Sequence, residues 1–123
     1  MTAVTAVTVY QYDGCSTCRK ALKWLAAEGI DARVVAIVDA PPSVATLRSA
    51  WVSSGLPLKR FFNTAGQSYR NGGFKDRLAT LSDDAQLAAL AADGKLIKRP
   101  LLIADTGVLV GFKAPEWAEF FAK

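Results

Sequence analysis

The pattern of apolar and polar residues near the start of the chain predicts a strand, a helix and a second strand. Residues 3–11, AVTAVTVYQ, are rich in valine and threonine and predict the first strand. From Ser16 onward the apolar residues recur at helical spacing, and Gly29 is suited to end that helix. The apolar helical positions are Cys18, Ala21, Leu22, Leu25 and Ala26. Residues 32–38, ARVVAIV, predict a buried second strand, parallel to the first because a helix joins the two.

The middle of the chain has a helical pattern with turn and capping residues at its boundaries. Ser43 can cap a helix that Gly55 ends, and Ser82 can cap another helix that Gly94 ends. Between these two helices, the sequence predicts a short helical turn around residues 59–62, followed by loops.

The last part of the chain predicts a hairpin and a final helix. RPLLIA at 99–104 and VLVGF at 108–112 flank Asp-Thr-Gly, which is a turn signal. A short helix over about 114–122 follows. A βαβ half and a ββα half that share a four-stranded mixed sheet make up a thioredoxin-like α/β fold. We therefore predict a single domain of this fold over residues 1–123, with a helical insertion at about 41–95.

Composition and charge limit the classes of function. The 123 residues are 51% hydrophobic and 21% charged, which suits a globular domain with a substantial core. The net charge of +4 is mild, and it favours small anions or acidic partner surfaces over direct nucleic-acid binding. The apolar runs are too short to span a bilayer, and no basic residue precedes the apolar N-terminus as in a signal peptide. We expect a cytoplasmic monomer that does not bind a membrane.

The chain contains no histidine, and this excludes several kinds of site. Cysteine–histidine pairs, serine–histidine–aspartate triads and histidine metal sites cannot form within the chain. Cys15 and Cys18 are the only cysteines, so a four-ligand zinc site would have to be shared between two chains. We therefore expect no metal.

Cys15 and Cys18 form a Cys-x-x-Cys pair where the predicted first strand gives way to the helix. Beside a βαβ pattern this motif favours thiol redox chemistry, with two ordinary cysteines or a shared zinc site as the alternatives. The positive end of the helix would stabilise a Cys15 thiolate, and Arg19 and Lys20 would act in the same direction. Residues three apart in a first helical turn share one face, which suits a disulfide. We predict that Cys15 is the exposed nucleophile and Cys18 the resolving thiol.

Arg99 and Pro100 are the next candidates. A proline is tolerated at the first residue of a strand, but in thioredoxin-like folds a cis-proline at this place faces the nucleophile. A cis bond would put Arg99 near Cys15, where its guanidinium group could bind an oxyanion or a carboxylate in a fork. The lesser cationic candidates are Lys98, Arg70, Arg60 and Lys59. For Tyr69, a ligand-orienting role and a packing role are both open.

Three segments together resemble the arsenate-reductase-like proteins of the ArsC/Spx/MgsR family. They are YDGCSTCRKALKWL, LKRFFNTAGQSYR and LIKRPLLI…VLVGF, in this order. The resemblance covers almost the whole chain, and it implies a thioredoxin-like domain with a helical insertion. It also implies a small thiol or oxyanion substrate and a redox protein as a partner, with no bound cofactor. Glutathione, glutaredoxin or thioredoxin is then the expected reductant.

The resemblance also bears on arsenate. The glutaredoxin-linked arsenate reductases of the family use one cysteine and three arginines that hold the oxyanion. The cysteine matches Cys15 and one arginine matches Arg99, but Asn63 and Gly111 stand at the other two arginine positions. The resemblance therefore implies thiol reduction with little or no arsenate reduction. The substrate-binding candidates are Arg99, Pro100, Asn63 and Arg70.

The alternative function that the resemblance implies is transcriptional regulation. Spx-like regulators use a Cys-x-x-Cys pair as a redox switch and bind the C-terminal domain of the RNA polymerase α subunit. They usually carry a longer C-terminal extension, whereas this chain stops at Lys123, just after its last predicted helix. An enzyme would turn over and fail when Cys15 is replaced, whereas a switch would change its partner affinity when the disulfide forms.

Overall fold

The computed structural model of the chain describes residues 7–122. Its strands are β1 (Val7–Gln11), β2 (Arg33–Ala36), β3 (Leu101–Ala104) and β4 (Gly107–Val110). Its α-helices are α1 (Ser16–Ala27), α2 (Val44–Ser54), α3 (Gln67–Asn71), α4 (Phe74–Arg77), α5 (Asp83–Ala92) and α6 (Ala114–Phe121). Short 3-10 helices lie at Leu58–Phe61 and Gly94–Leu96. The predicted order of βαβ, helices and ββα is confirmed, and residues 3–6 of the predicted first strand lie outside the described residues.

The described residues form two compact units. Residues 7–36 and 99–122 make up a sheet unit that contains the strands, and residues 37–98 make up a helical unit. The predicted insertion at about 41–95 falls within the helical unit. That residues 1–123 behave as a single domain stays a prediction.

The sheet unit contains a four-stranded mixed sheet with the strand order β2-β1-β3-β4. β1 runs parallel to β2 and antiparallel to β3, and β3 runs antiparallel to β4. In this register Val9 lies opposite Val34 on one side and Leu102 on the other. The predicted mixed sheet is confirmed.

β2 is exposed, and the prediction that it is buried was wrong. Val34 is 50% exposed, and Arg33 and Ala36 are exposed as well. β2 lies at the end of the strand order, so that among the described strands only β1 borders it. The fully buried residue of the predicted segment is Ile37, which directly follows β2.

Apolar side chains from the strands, α1 and α6 form the core of the sheet unit. They are Val7, Val9, Ala21, Leu25, Leu102, Leu109 and Trp117. Trp24 contacts the ring of Trp117 edge-on with the centroids 6.0 Å apart, and Trp117 Nε1 donates to the carbonyl of Gly111 at 3.1 Å. Of the apolar residues at helical spacing in α1, Cys18, Ala21 and Leu25 are buried, whereas Ala26 is exposed. This core holds α1 against the sheet and thereby fixes where α1 begins, just after β1.

The longer helices of the helical unit begin where capping residues predict them. Ser43 Oγ accepts a hydrogen bond from the amide of Thr46, and Ser82 Oγ accepts one from the amide of Ala85, both at 3.1 Å. α2 ends at Gly55, whose φ of 69° is the left-handed conformation that glycine adopts without a steric penalty. The predictions for α2 and for the start of α5 are confirmed.

Two short helices, α3 and α4, occupy the region after residue 62 that was predicted to be loops. They have five and four residues, and neither has a hydrogen bond from a side chain at its N-cap. The rings of Phe62, Tyr69 and Phe74 pack together, with centroids from 5.8 to 6.3 Å apart. Helices this short depend on tertiary packing, which sequence periodicity does not report. Tyr69 is buried in this aromatic cluster, in keeping with a packing role.

Gly94 has a different role from the helix stop that was predicted. α5 ends at Ala92 with Asp93 as an extended C-cap, and Gly94 is a buried residue at the start of the next 3-10 helix. A Cβ atom on Gly94 would collide with the backbone carbonyl of Ile37. Glycine is therefore required here because two backbone segments approach each other closely.

Candidate thiol site

Cys15 is the N-cap residue of α1. A turn brings the chain from β1 into α1, and the amide of Cys15 donates to the carbonyl of Tyr12 at 3.0 Å. Cys15 is extended, with φ −100° and ψ 113°, and its Sγ accepts a hydrogen bond from the amide of Cys18 at 3.2 Å. The thiol therefore occupies the place where a serine or aspartate side chain commonly caps a helix. The positive end of the helix favours a thiolate at this place.

The turn before Cys15 is held by side chains on both sides of it. Gln11 Nε2 donates to Asp13 Oδ1 at 2.9 Å, and Arg19 Nη1 donates to the carbonyl of Asp13 at 3.0 Å. Gln11 is buried at the end of β1, and Arg19 lies in the first turn of α1. Both elements that flank the turn thus restrain it, and with it the position of Cys15.

Cys18 is fully buried one helical turn after the partly exposed Cys15, and both thiols are reduced. Burial, followed by the hydrogen bond and charge of Cys15, raises the pKa of Cys18 to about 12. A backbone hydrogen bond from Tyr12 and the charge of Arg99 act in the opposite direction but are outweighed. At neutral pH Cys18 is therefore a protonated thiol that can donate to Cys15.

Burial raises the pKa of Cys15, but its neighbours reverse this effect and leave the pKa lower than that of an ordinary thiol. The hydrogen bonds from the side chain and backbone of Cys18 act first, and the charge and hydrogen bond of Arg99 follow. Hydrogen bonds and positive charge both favour the charged form of an acid. The asymmetry between the two cysteines matches the predicted roles of nucleophile and resolving thiol, which stay predictions.

The effect on Cys15 that was predicted for Arg19 and Lys20 stays a prediction. The Arg19 guanidinium group is engaged by the carbonyl of Asp13, and Lys20 is exposed. The cation that lowers the pKa of Cys15 is Arg99, which comes from the segment before β3. Arg99 is distant from Cys15 in sequence, and the fold of the sheet unit brings it closer.

The structure places Arg99 beside Cys15, whereas the part of Pro100 in a substrate site stays a prediction. The Arg99–Pro100 peptide bond is cis, and Pro100 is buried directly before β3. The carbonyl of Pro100 accepts a hydrogen bond from the amide of Gly111 at 2.8 Å. Arg99 hydrogen-bonds Cys15, so that a guanidinium group stands beside the candidate nucleophile, where it was expected.

Tyr12 and Gly14 belong to the site, although the sequence did not single them out. The guanidinium carbon of Arg99 lies 4.7 Å from the centroid of the Tyr12 ring. A Cβ atom on Gly14 would lie 2.8 Å from Cε2 of Tyr12, which is closer than two non-bonded carbon atoms normally approach each other. A tyrosine before Asp-Gly carries no motif of its own, and only the tertiary contact shows its relation to Arg99.

The other predicted cationic residues lie in the helical unit. Lys59, Arg60 and Lys98 line a cleft of about 340 Å³ in that unit. The remaining lining residues are Pro57, Phe62 and Thr64. The amide of Lys98 donates to the carbonyl of Phe61 at 2.8 Å, which ties the two backbone segments of this cleft together. The cleft thus has a cationic rim and a partly apolar wall.

Asn63 and Arg70 also lie in the helical unit, and their part in a substrate site stays a prediction. The amide of Asn63 donates to the carbonyl of Leu96 at 2.8 Å, and its side chain is partly buried. Arg70 is exposed in α3.

Gly111, at the third arginine position of the resemblance, is buried and has a φ of 78°. Its amide donates to Pro100 and its carbonyl accepts from Trp117, so this backbone conformation is fixed on both sides. Residues with side chains rarely adopt such a φ. An arginine substituted at this position would therefore have a strained backbone conformation.

Two further observations concern metals and membranes. Between residues 7 and 122, the side chains of cysteine, aspartate and glutamate form no group of three or more that could hold a metal ion. In the same part of the chain, every helix is too short or too polar to cross a membrane.

A Cys-x-x-Cys pair at the start of a helix, with an arginine beside the first thiol, is an arrangement typical of thiol redox sites. The chain belongs to the ArsC family, whose model matches residues 10–120. The structure of an ArsC family related protein from Bacteroides fragilis is similar with a TM-score of 0.90 and 43% identity, covering 94% of this chain and 98% of that one. The predicted family and its thioredoxin-like fold are confirmed.

Curated relatives carry several names. The chain is 45% identical over 117 residues to "Uncharacterized protein YusI" of Bacillus subtilis, covering 95% of this chain and 99% of the relative. It is 31% identical over 101 residues to an arsenate reductase of Rhizobium meliloti, covering 82% and 71%. It is 24% identical over 110 residues to the regulatory protein MgsR of Bacillus subtilis, covering 89% and 86%. Together these relatives support a family of thiol redox proteins.

Proposed function

We propose that this protein is a thiol–disulfide reductase that acts on small disulfides or mixed disulfides, with Cys15 as the nucleophile. The observation that carries the proposal is the environment of the Cys15 thiol. It caps α1, accepts the amide hydrogen bond of Cys18 and has Arg99 beside it. Each of these features favours the thiolate, which is the reactive form of cysteine.

The reaction has two steps. In the first, the Cys15 thiolate attacks one sulfur of the substrate disulfide, a mixed disulfide forms on Cys15, and the other sulfur leaves as a thiolate that takes up a proton. In the second, Cys18 loses its proton and attacks the sulfur of Cys15, which releases the second thiol and forms the Cys15–Cys18 disulfide. The substrate gains two electrons, and the cysteines lose them. Glutathione, or a protein of the thioredoxin or glutaredoxin type, then reduces the cysteines again.

The pKa of Cys18 links the second step to the first. In the reduced protein, burial and the charge of Cys15 contribute to the pKa of about 12 at Cys18. Once Cys15 is in a mixed disulfide it carries no thiolate charge, so its part of this effect disappears. Arg99 and the backbone of Tyr12 still favour a Cys18 thiolate at that point. Cys18 is therefore protonated before the substrate binds covalently, and it is more easily ionised afterwards.

Positive charge supports an anionic substrate. The guanidinium group of Arg99 stands beside Cys15. Guanidinium and ammonium groups bind carboxylates by charge-assisted hydrogen bonds. A mixed disulfide that contains glutathione, a peptide with two carboxylates, has the matching charge.

Arsenate is a poorer candidate, although relatives named arsenate reductase belong to the same family. Of the three arginines that the family reductases use for the oxyanion, this chain has Arg99 alone. Asn63 is neutral, and Gly111 has a backbone conformation that disfavours an arginine. Without these charge-assisted hydrogen bonds an oxyanion would be held weakly.

A redox-switched regulator is the second candidate function, and the similarity to the regulatory protein MgsR supports it. In this case the same cysteines would form a disulfide that changes the affinity for a partner, such as the α subunit of RNA polymerase, without turnover. Catalytic turnover with a small disulfide and a thiol reductant distinguishes the two functions.

Mass spectrometry after treatment with glutathione disulfide tests the proposal. We expect the wild-type protein to form an internal disulfide, the Cys18→Ser variant to stop at a glutathione adduct on Cys15, and the Cys15→Ser variant to stay unmodified. Steady-state reduction of the mixed disulfide of glutathione and 2-mercaptoethanol, with glutathione as reductant, should require Cys15. An unmodified wild-type protein, or an adduct on Cys18 in the Cys15→Ser variant, would contradict the assignment of the nucleophile.

A further inference from the structure

Arg99 makes two contacts in the sheet unit that belong together. Its guanidinium carbon lies 4.7 Å from the centroid of the Tyr12 ring, and the same group hydrogen-bonds Cys15. A guanidinium group within about 6 Å of an aromatic centroid is attracted to the ring face. Tyr12 therefore contacts the cation that stands beside the candidate nucleophile.

An arginine needs such a support to act on one sulfur atom. Its side chain has many rotamers, and a cation that moves among them spends less time near Cys15. The Tyr12 ring restricts the guanidinium group from one side. The contact uses the ring and not the hydroxyl group, so a phenylalanine at position 12 would preserve it.

Gly14 determines whether the Tyr12 ring can occupy this place. A Cβ atom on Gly14 would lie 2.8 Å from Cε2 and 3.4 Å from Cζ of Tyr12, so that the ring would have to move. The φ of Gly14 is outside the left-handed range, and an alanine is therefore compatible with the backbone there. What glycine provides at this position is space for the ring.

The turn itself is fixed independently of these contacts. The carbonyl of Tyr12 accepts from the amide of Cys15, while Asp13 is held by Gln11 and Arg19. The charged and titratable groups of the sheet unit that act on Cys15 are Arg99 and Cys18. A change in the Tyr12 side chain can thus reach Cys15 through Arg99 without disturbing the backbone of the turn.

We propose that Tyr12 is a positioning residue that holds Arg99 against Cys15, and that Gly14 leaves the space in which the Tyr12 ring lies. The inference rests on the proposed function in so far as Cys15 is the reactive thiol. It adds a requirement to the segment YDGC: an aromatic ring at position 12 together with the absence of a Cβ atom at position 14.

The test follows the absorbance of the Cys15 thiolate against pH in the wild-type protein and in Tyr12→Phe, Tyr12→Leu and Gly14→Ala. We expect Tyr12→Phe to titrate as the wild type does. Tyr12→Leu and Gly14→Ala should titrate at higher pH, with the thiolate fraction below the wild-type midpoint reduced roughly two- to tenfold. In an Arg99→Gln background, Tyr12→Leu should cause no further shift, because the residue through which it acts is gone.

Two results would overturn the inference: a titration of Tyr12→Leu and Gly14→Ala that equals the wild type, or a shift in Tyr12→Leu that persists undiminished without Arg99. Gly14→Ala keeps the inference testable if Tyr12→Leu fails to fold, and circular dichroism checks both. A wild-type titration like that of an ordinary cysteine would contradict the proposed function as well. The failure of the proposed function is thus distinguishable from a failure of Tyr12 alone.

Discussion

The Sγ atom of Cys15 accepts a hydrogen bond from the backbone amide of Cys18 at 3.2 Å, which makes the candidate nucleophile the N-cap of α1. The amide is one of those at a helix start that have no partner within the helix. A thiolate accepts a stronger hydrogen bond than a thiol, so the bond that caps the helix also favours ionisation. Helix capping and thiol reactivity therefore depend on the same contact.

The capping role predicts how substitutions of Cys15 affect stability. Cys15→Ala removes the acceptor, and we expect the free energy of unfolding to fall by about 1 kcal/mol. Cys15→Ser removes the reactivity but keeps a side-chain oxygen that caps well, so its stability should stay close to the wild type. Denaturant unfolding of both variants under reducing conditions measures the difference. Equal stability of the two variants would contradict the capping role.

The cysteine at position 18 should tune the ionisation of Cys15. Cys18→Ala loses the thiol donor but keeps the backbone amide, so the pKa of Cys15 should rise relative to the wild type. Cys18→Ser retains a donor and should leave the pKa closer to the wild type. Each variant contains a single cysteine, so thiolate absorbance reports Cys15 without interference. A Cys18→Ala titration that matches Cys18→Ser would show that the amide and Arg99 suffice.

The raised pKa of Cys18 predicts a loss of stability at alkaline pH. A folded-state pKa of about 12 lies above the unfolded value of about 8.5, so the buried thiol stabilises the fold fully below pH 8.5. This stabilisation is lost as the pH rises towards 12, by roughly 1–2 kcal/mol between pH 8.5 and 10.

Cys15 acts in the opposite direction, since its lowered pKa adds stability above the unfolded pKa that is lost as the pH falls through the folded one. Comparison with Cys18→Ala removes the contribution of Cys18, and the contribution of Cys15 changes little between pH 9 and 10, above its unfolded pKa. Unfolding in guanidinium chloride at pH 7.5, 9 and 10 should show the difference in stability between the two proteins shrinking with pH. A constant difference would contradict the raised pKa of Cys18.

The sequence correctly predicted those helices and strands that depend on neighbouring residues, such as helix caps and runs of β-branched residues. Ser43 and Ser82 start helices through bonds to amides three residues on, and the β-branched run before Gln11 forms β1. α3 and α4 were missed because the packing of Tyr69 and Phe74 stabilises them, and no capping residue announces them. Exposure of β2 could not be predicted either, because it depends on which other elements pack against the strand.

In the candidate site too, some residues could be predicted from the sequence and others depend on tertiary contacts. Cys15 and Cys18 were predicted as a redox pair from their spacing and from their place between a predicted strand and helix, because both constrain the geometry and the ionisation of the thiols. That Arg99 lies beside Cys15 could be expected only from the predicted fold, because the two residues are far apart in sequence. Arg19 is nearer in sequence, and its guanidinium group donates to the carbonyl of Asp13. Tyr12 had no signal, because its relevance comes from one tertiary contact.

We predict that substitution of Gly94 lowers the stability of the protein more than an ordinary glycine substitution does. A Cβ atom there meets the backbone carbonyl of Ile37, and backbone cannot move aside as a side chain can. We expect Gly94→Ala to reduce the free energy of unfolding by about 1–3 kcal/mol or more. Gly14→Ala is the matched control, because the three atoms nearest to its new methyl group belong to the Tyr12 side chain, and its φ is also outside the left-handed range. Equal losses in the two variants would contradict the close approach at Gly94.

A substitution at Gly111 tests whether the absence of an arginine at this position would by itself account for the weak arsenate reduction that we expect. If it did, Gly111→Arg would increase that activity. We expect no gain and a loss of about 1–3 kcal/mol in stability, because position 111 is buried and has a φ of 78°. Gly29→Arg is the matched control: its φ is 69°, but an added Cβ atom meets nothing within 4 Å, so it should lose less.

The two measurements for Gly111→Arg are denaturant unfolding and a glutathione–glutaredoxin-coupled arsenate assay at saturating arsenate. The bonds of Gly111 to Pro100 and Trp117 lie next to Arg99, so a strained residue at position 111 would also disturb the one arginine that remains. Arsenate reduction in the variant, at a stability like that of Gly29→Arg, would refute this account. It would mean that the backbone accepts an arginine at this position, and that charge alone separates this chain from the arsenate reductases of its family.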